Sequence, residues 1–341
     1  MSGVLPIIGI TMGDPVGVGP EIIIKTMADR EIHKICRPVI IGDYNILKKA
    51  EKYTHLALKI NLINNNSKAR FKEGWLDLLT LSDLNAKELL PGKPTADSGH
   101  AMLAYIETCI DLSLKGKIDA MVTAPINKKA LKLAECDFAG HTEILAHKTK
   151  TSDYVMMLAG KQLKVALVTI HVPLKEVAGL INEPLIIKTI RITALALKNR
   201  FGMTKPRLAV AGLNPHAGES GLFGDEEECI ILPAIIKAQK EGFDVKGPFP
   251  PDTIFYRATK GEFDAIICMY HDQGLIPFKL LHFIDGVNTT LGLPIIRTSV
   301  DHGTGYDIAG TGTANQASLV AAIKMAASQA VWRNQNKIKT G

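Results

Sequence analysis

Short apolar runs alternate along this chain with longer segments whose apolar positions recur at helical spacing. PIIGIT precedes EIIIKTMADREIHKI, RPVIIGD precedes YNILKKAEKY, and DAMVTAP precedes NKKALKLAE. The alternation continues through KVALVTIH, a helical stretch over residues 182–200, RLAVAGLNPH, the helix DEEECIILPAIIKAQKEG, and DAIICMYHD. Strand-length apolar runs separated by helix-length patterns predict βαβ units, and hence an α/β fold with a largely parallel sheet. The stretch LLPGKPTADSGH over 89–100 has the densest Pro/Gly/Ser signal and predicts a long surface loop. Asp97 or Ser98 is then placed to cap the helix GHAMLAYIETCIDLSLK. No internal repeat or low-complexity tract breaks the pattern, and 341 residues suit about two domains.

Three of the apolar runs end on a histidine: VALVTIH at His171, LAVAGLNPH at His216, and DAIICMYHD at His271. In an open parallel sheet, ligands bind beyond the carboxyl ends of the strands, so side chains delivered there converge however far apart they lie in sequence. A single histidine at a strand end is ordinarily a hydrogen-bonded structural residue. Three at equivalent ends, within the polar segments HVP, NPHAGE and YHDQG, predict an open three-histidine metal site with a position left for substrate. Neutral imidazoles suit zinc, cobalt or a similar ion, which would lower the pKa of a bound hydroxyl.

Composition narrows the alternatives. Hydrophobic residues make up 46% and charged residues 22%, as in an ordinary packed protein. No apolar run reaches membrane-spanning length, and MSGVLPIIGITMGDP lacks a basic leader and a cleavage site, so it predicts a first strand. No membrane partner is expected. The five cysteines are scattered, odd in number and without a CxxC, which fits reduced thiols in a cytoplasmic protein. A formal charge of +6 is spread over the chain and aromatics are only 6%. The one basic cluster, WRNQNKIKTG, reads as a solvated helix end. Nucleic acid is therefore not expected as a partner, and the positive balance suits a phosphorylated small molecule.

Several further strings bear chemistry. GDPVGVGPEI (13–22) follows the first strand and opens a helix, with Gly13, Gly17 and Gly19 for the turn, Pro20 at the first helical position and Glu21 at the positive helix end. It is neither GxGxxG nor a Walker A loop, and its glycines alone describe a turn that needs no ligand. AGHTE (139–143) offers His141 and Thr142, with Thr142 either capping a helix or contacting an oxyanion or carboxylate. DQGLIPFK places Lys279 soon after His271, and GVNTTLGLPIIRTS adds Asn288 and Arg297 in segments too polar for a core. Arginine there suits bidentate phosphate recognition. Asp252 in GPFPPDTIF is either a base or a turn residue. The most specific string is VDHGTGYDIAGTGTANQASLVAAI (300–323), a glycine-rich loop before an apolar helix.

That string is similar to the adenine-ribose loop of the decarboxylating β-hydroxyacid dehydrogenases, whose HGS-x-P-DIAG-x-G-x-AN pattern nearly matches HGTGYDIAGTGTAN; GDPVGVGPEI likewise resembles their GDGIGPE. The likeness implies that the two chain ends fold into one domain. It also implies that His302, Gly303, Asp307, Gly310 and Asn315 contact the cofactor. With NPHAGE, MYHDQG, GHTE, TAPINK and IRTSVDHGT also present in order, residues 6–325 resemble the 4-hydroxythreonine-4-phosphate dehydrogenase family of pyridoxal phosphate biosynthesis.

The resemblance implies two α/β/α domains with largely parallel sheets and the active site in the cleft between them, as in isocitrate and isopropylmalate dehydrogenases. A cofactor domain would comprise 1–125 plus 285–341, and a metal, substrate and dimerisation domain 126–284. His171, His216 and His271 would bind a divalent metal (zinc, magnesium or cobalt), and His141, Thr142, Lys279, Asn288 and Arg297 the substrate. Asp252 and Lys279 are the candidates for the base. The family's homodimer puts the active site at the subunit interface, so the metal shell can draw on both chains. The implied reaction oxidises 4-phosphohydroxy-L-threonine with NAD or NADP to 2-amino-3-oxo-4-phosphooxybutanoate, which decarboxylates to 3-amino-2-oxopropyl phosphate. Paralogues that oxidise D-threonate or D-erythronate 4-phosphate share the motifs and stay open as the alternative. A three-histidine zinc hydrolase or aldolase would lack the 302–315 loop, and a sugar-phosphate-binding protein would need no metal set.

Overall fold

The computed structural model describes residues 4–65, 68–138 and 140–340, with side chains described as far as Gln335. Twelve strands are present among them: β1 (Ile7–Thr11), β2 (Arg37–Asp43), β3 (Lys59–Ile63), β4 (Trp75–Ser82), β5 (Ala120–Thr123), β6 (Val155–Ala159), β7 (Lys164–Leu167), β8 (Arg207–Ala211), β9 (Asp244–Phe249), β10 (Ala265–Cys268), β11 (Val287–Leu291) and β12 (Arg297–Val300). The chain forms two compact units, Met1–Ser152 with Leu293–Asn334, and Asp153–Gly292 with Gln335–Gly341. The α/β class with mostly parallel pairing agrees with the hydrophobic pattern.

In the first unit the strands run β3-β4-β2-β1-β5-β12, all parallel. The central strands are covered on both faces, so they read as unbroken apolar runs and do not alternate. Ile8, Ile10, Ile40, Ile41 and Val122 are fully buried. Gly9 of β1 is needed for this packing: a Cβ there would stand 2.5 Å from Ile118 and 3.0 Å from the Cys109 sulfur. In the second unit the order is β11-β6-β7-β10-β8-β9. Strand β6 is antiparallel to both β11 and β7, whereas β7, β10, β8 and β9 are mutually parallel. Val165, Leu167, Ala209, Ile266 and Phe278 form the core of that unit. At ~1.5–3 kcal/mol for each large apolar side chain fully buried, such a cluster is enough to fix the strand register.

The units divide elsewhere than at 125/126 and 284/285. Residues 126–152 stay with the first unit because helix Lys128–Leu133 packs on helix Ala96–Leu114 so closely that a Cβ on Gly99 would stand 2.1 Å from the Ala130 carbonyl. Residues 285–292 go with the second because β11 pairs with β6. Local differences have equally local causes. The single helix expected after β1 is two, Gly19–Met27 and Arg30–Ile35, with the Asp29 carboxylate capping the second through the Glu31 N–H. Helix Ala96–Leu114 is capped by Thr95, not by Asp97 or Ser98; Thr95 and Ser98 satisfy each other's backbone N–H in a capping box. Among the described residues the five cysteines form no disulfide, and Cys36, Cys109 and Cys268 are buried. No helix among them is long and apolar enough to cross a membrane.

Candidate active site

His171, His271 and His216 follow β7, β10 and β8, three adjacent parallel strands. The strands are shorter than the apolar runs: they end at Leu167, Cys268 and Ala211, and the chain leaves the sheet before each histidine. His171 lies in a bend, His271 opens helix His271–His282, and His216 sits in a short 3-10 turn, Pro215–Gly218. The rings of His171 and His271 are 5.3 Å apart and tilted by 44°. Nδ1 of His271 is 2.7 Å from the Asp272 carboxylate. An acceptor-only carboxylate calls for the proton on Nδ1, which leaves Nε2 of a neutral ring as a ligand. Among the described residues no three His, Cys, Asp or Glu side chains are grouped to hold an ion by themselves. The imidazole donors fit a borderline divalent ion in type and in their place at adjacent strand ends; two of them meet in this chain and the third is not grouped with them.

The His216 turn has an unusual backbone. His216 has φ 54° and ψ 24°, Ala217 φ 56°, Glu219 φ 43° and Ser220 φ 56°, all left-handed and none glycine. Such residues cost of order 1–3 kcal/mol each and persist only where their surroundings enforce them.

In the first unit His141 is the first residue of helix His141–Lys148, behind Gly140, and Thr142 stands half-buried in its first turn. Gly140 occupies the cap position and no side-chain bond closes it, so Thr142 is not the cap. Ala139, the start of that motif, lies outside the described residues. Nε2 of His141 is sealed from solvent with no hydrogen-bond partner among the described residues. Burial, then the charge of Arg297, holds the His141 ring well below its ordinary pKa, so it is neutral at pH 7. Arg297 opens β12, is 2% exposed, and donates from Nη2 to the Thr123 hydroxyl at 2.8 Å. Burial pulls its guanidinium down to about 9. A neutral imidazole with its Nε2 sealed, beside a buried guanidinium, is a setting that a phosphate or carboxylate would stabilise.

The two glycine-rich strings at opposite ends of the chain do meet. The Val18 N–H donates to the Thr304 carbonyl, the Tyr306 hydroxyl to Asp14, and the Lys25 ammonium to the Ala314 carbonyl. Burial pushes the Asp14 carboxyl above its ordinary pKa against the bonds from Tyr306 and Val16. The buried Glu21 carboxylate accepts the N–H groups of both Gly310 and Gly312. Of the expected cofactor contacts, His302, Gly303 and Asp307 are exposed. Asn315, also exposed, accepts the Ala317 N–H at the start of helix Ala317–Thr340. Gly310 has φ +82°, and a Cβ there would stand 2.6 Å from Pro91. His302, Gly303 and Asp307 thus leave an open edge, whereas Gly310 has structural work to do. Gly310→Val should therefore lower the melting temperature whatever the cofactor does, while Gly303, with open space around it, is the clean probe. Gly303→Val is expected to keep the wild-type melting temperature and raise KM for the nucleotide; an unchanged KM would take residue 303 out of the cofactor site.

The remaining expected residues belong to the second unit. Asp252 is exposed in the first turn of helix Pro251–Thr259, not in a loop. Lys279 is half-buried on helix His271–His282, its ammonium 5.6 Å from the centre of the Phe283 ring. Asn288 is half-buried on β11, opposite Leu158. Sequence reasoning did not single out Asp272, and it placed Glu21 only at the positive end of a helix, without its bonds to Gly310 and Gly312.

Residues 34–326 match the family described as pyridoxal phosphate biosynthetic protein PdxA. The chain is 53% identical over 333 residues, 98% of each chain, to a 4-hydroxythreonine-4-phosphate dehydrogenase from Desulforapulum autotrophicum. It is 46% identical over 335 residues to the D-threonate 4-phosphate dehydrogenase of Cupriavidus necator, covering 98% of this chain and all of that one. A crystal structure of 4-hydroxythreonine-4-phosphate dehydrogenase from Klebsiella pneumoniae superposes with a TM-score of 0.87 at 42% identity, covering 95% of this chain and 99% of the other. With a family match across most of its length and relatives near half identity from end to end, the chain belongs to the pyridoxal phosphate biosynthetic protein PdxA family.

Proposed function

We propose that this chain is a metal-dependent oxidoreductase of pyridoxine 5'-phosphate biosynthesis. It would convert 4-phosphohydroxy-L-threonine to 2-amino-3-oxo-4-phosphooxybutanoate with NAD or NADP, followed by loss of CO₂ to give 3-amino-2-oxopropyl phosphate. The observation that carries the reading is the placement of His171, His271 and His216 after three adjacent parallel strands. These imidazoles would hold the divalent ion (zinc, magnesium or cobalt). When bound, that ion supplies Lewis acidity at the reacting hydroxyl and at the enolate of decarboxylation, and the nicotinamide supplies the hydride acceptor.

The chain's own residues do the rest. Asp272 keeps the His271 proton on Nδ1. Arg297 holds the phosphate by charge and fork geometry, with His141 and Thr142 beside it, and Asn288 and Lys279 orient the polar head. The hydroxyl proton goes to Lys279 or Asp252. His302, Gly303 and Asp307 line the open edge for the dinucleotide.

We read the working form as a homodimer in the cytoplasm. Ile276 is 67% exposed, Leu280 85%, Phe283 77% and Ile284 60%. Their spacing puts them on one face at the end of helix His271–His282, an apolar patch that a second copy would cover. The unpaired cysteines suit a reducing compartment.

D-threonate or D-erythronate 4-phosphate is the second reading, favoured by the Cupriavidus relative, although identity is higher to the Desulforapulum one (53% against 46%). Measuring kcat/KM on the L-threonine derivative and on both sugar acid phosphates decides it. The amino acid is expected to be preferred; a preference for either sugar acid phosphate would move the chain to the alternative.

A further inference from the structure

The strained turn that presents His216 is built around a single buried carboxylate, Glu227. Its side chain is 2% exposed. Oε1 accepts the backbone N–H of Leu213 and of Asn214, both at 2.7 Å, and Oε2 accepts the Asn214 side-chain amide at 2.9 Å. The same amide also donates to Glu226 at 2.6 Å. The loop is shaped to admit this carboxylate: a Cβ on Gly212 would stand 2.9 Å from Oε1, and one on Gly218 2.8 Å from Oε2. Both oxygens are thus enclosed between the start of the turn and its end. The residue comes from a π-helical segment, Glu227–Ile231, a rare local winding that is frequent at functional sites.

Four left-handed residues that are not glycine, two on each side of Gly218, do not hold themselves in that conformation. Three charge-assisted bonds to the two residues preceding Pro215 and His216 can hold it. On the reading of His216 as a metal ligand, we propose that Glu227 is a positioning residue. It fixes the 212–220 loop so that the His216 imidazole is presented to the metal, acting through the backbone and not by touching ion or substrate.

The test uses metal-free full-length protein titrated with Co²⁺ alone, in wild type, Glu227→Gln, His216→Ala and the double variant. Glutamine keeps the size of the side chain but turns one acceptor into a donor facing the Asn214 amide. Outer-shell partners of metal ligands are worth ~10–100-fold in metal affinity, and Glu227→Gln is expected to lose at least tenfold. Amide exchange at Leu213 and Asn214 should also speed up in the metal-free protein. In the His216→Ala background, where the paired His171 and His271 rings still give a weaker but titratable Co²⁺ site, the same change should cost nothing further, whereas a general structural defect would cost as much there as in wild type. Wild-type Co²⁺ affinity in Glu227→Gln overturns the proposal, as does an equal loss in both backgrounds. If His216→Ala itself binds Co²⁺ like wild type, it is the metal reading that fails. Should Glu227→Gln not fold, Asn214→Ala removes only the side-chain bonds to Glu226 and Glu227; a smaller loss of Co²⁺ affinity is expected there, and none would overturn the proposal.

Discussion

His216→Ala is expected to abolish stoichiometric metal binding and nearly all turnover while leaving the fold intact. The residue lies outside the sheet, in a turn after β8, and its side chain is not part of the apolar core. Alanine at an exposed loop position removes no core volume, so the melting temperature should move little. A lost ligand should cost more than the ~10–100-fold in affinity typical of an outer-shell partner. Elemental analysis of the purified variant checks this. One metal per site in His216→Ala would show that the histidine is not a ligand, whatever happened to activity.

Arg297→Ala should weaken binding of the phosphorylated substrate far more than that of a dephosphorylated analogue. Truncating one partner of a buried charge pair costs about 2–5 kcal/mol, which is roughly 30- to several-thousand-fold in affinity. Arg297 is buried and held by Thr123, so its removal also leaves a cavity at the head of β12. Comparing two ligands on one protein cancels that structural cost, because a packing defect weakens both alike. Arg297→Lys refines the point: it keeps the charge and loses the fork, and should recover part of the loss. Equal losses for the two ligands would put Arg297 away from the phosphate.

How much of this was legible beforehand depended on whether a residue's partner was near in sequence. RPVIIGD became β2 over the same seven residues because a strand buried on both faces writes itself as one apolar run. The three histidines were legible because an apolar run leads to each, although the strands stop three to five residues earlier, at Leu167, Ala211 and Cys268. β3 and β4 carry exposed and polar positions and left no comparable run. The buried carboxylates were invisible. Glu21 reads only as a charge at a helix start and Glu227 only as one member of an acidic cluster, with nothing local to show what either bonds. Glu21 is buried only because Gly310 and Gly312, almost three hundred residues away, bring their N–H groups to it. Gly310 illustrates the converse: a glycine that looked made for a ligand answers to a left-handed backbone and to Pro91.

The proposed function has the three histidines holding a metal on which an NAD(P)-linked oxidation depends. It is tested most directly by following the near-ultraviolet absorbance of NADH or NADPH on mixing enzyme, nucleotide and 4-phosphohydroxy-L-threonine, before and after chelation and after adding back zinc, magnesium or cobalt. Reduction of nucleotide should stop on chelation, return with metal in wild type, and not return in His216→Ala. Reduction that continues undiminished in the chelated protein, or is restored equally by metal in His216→Ala, would contradict it.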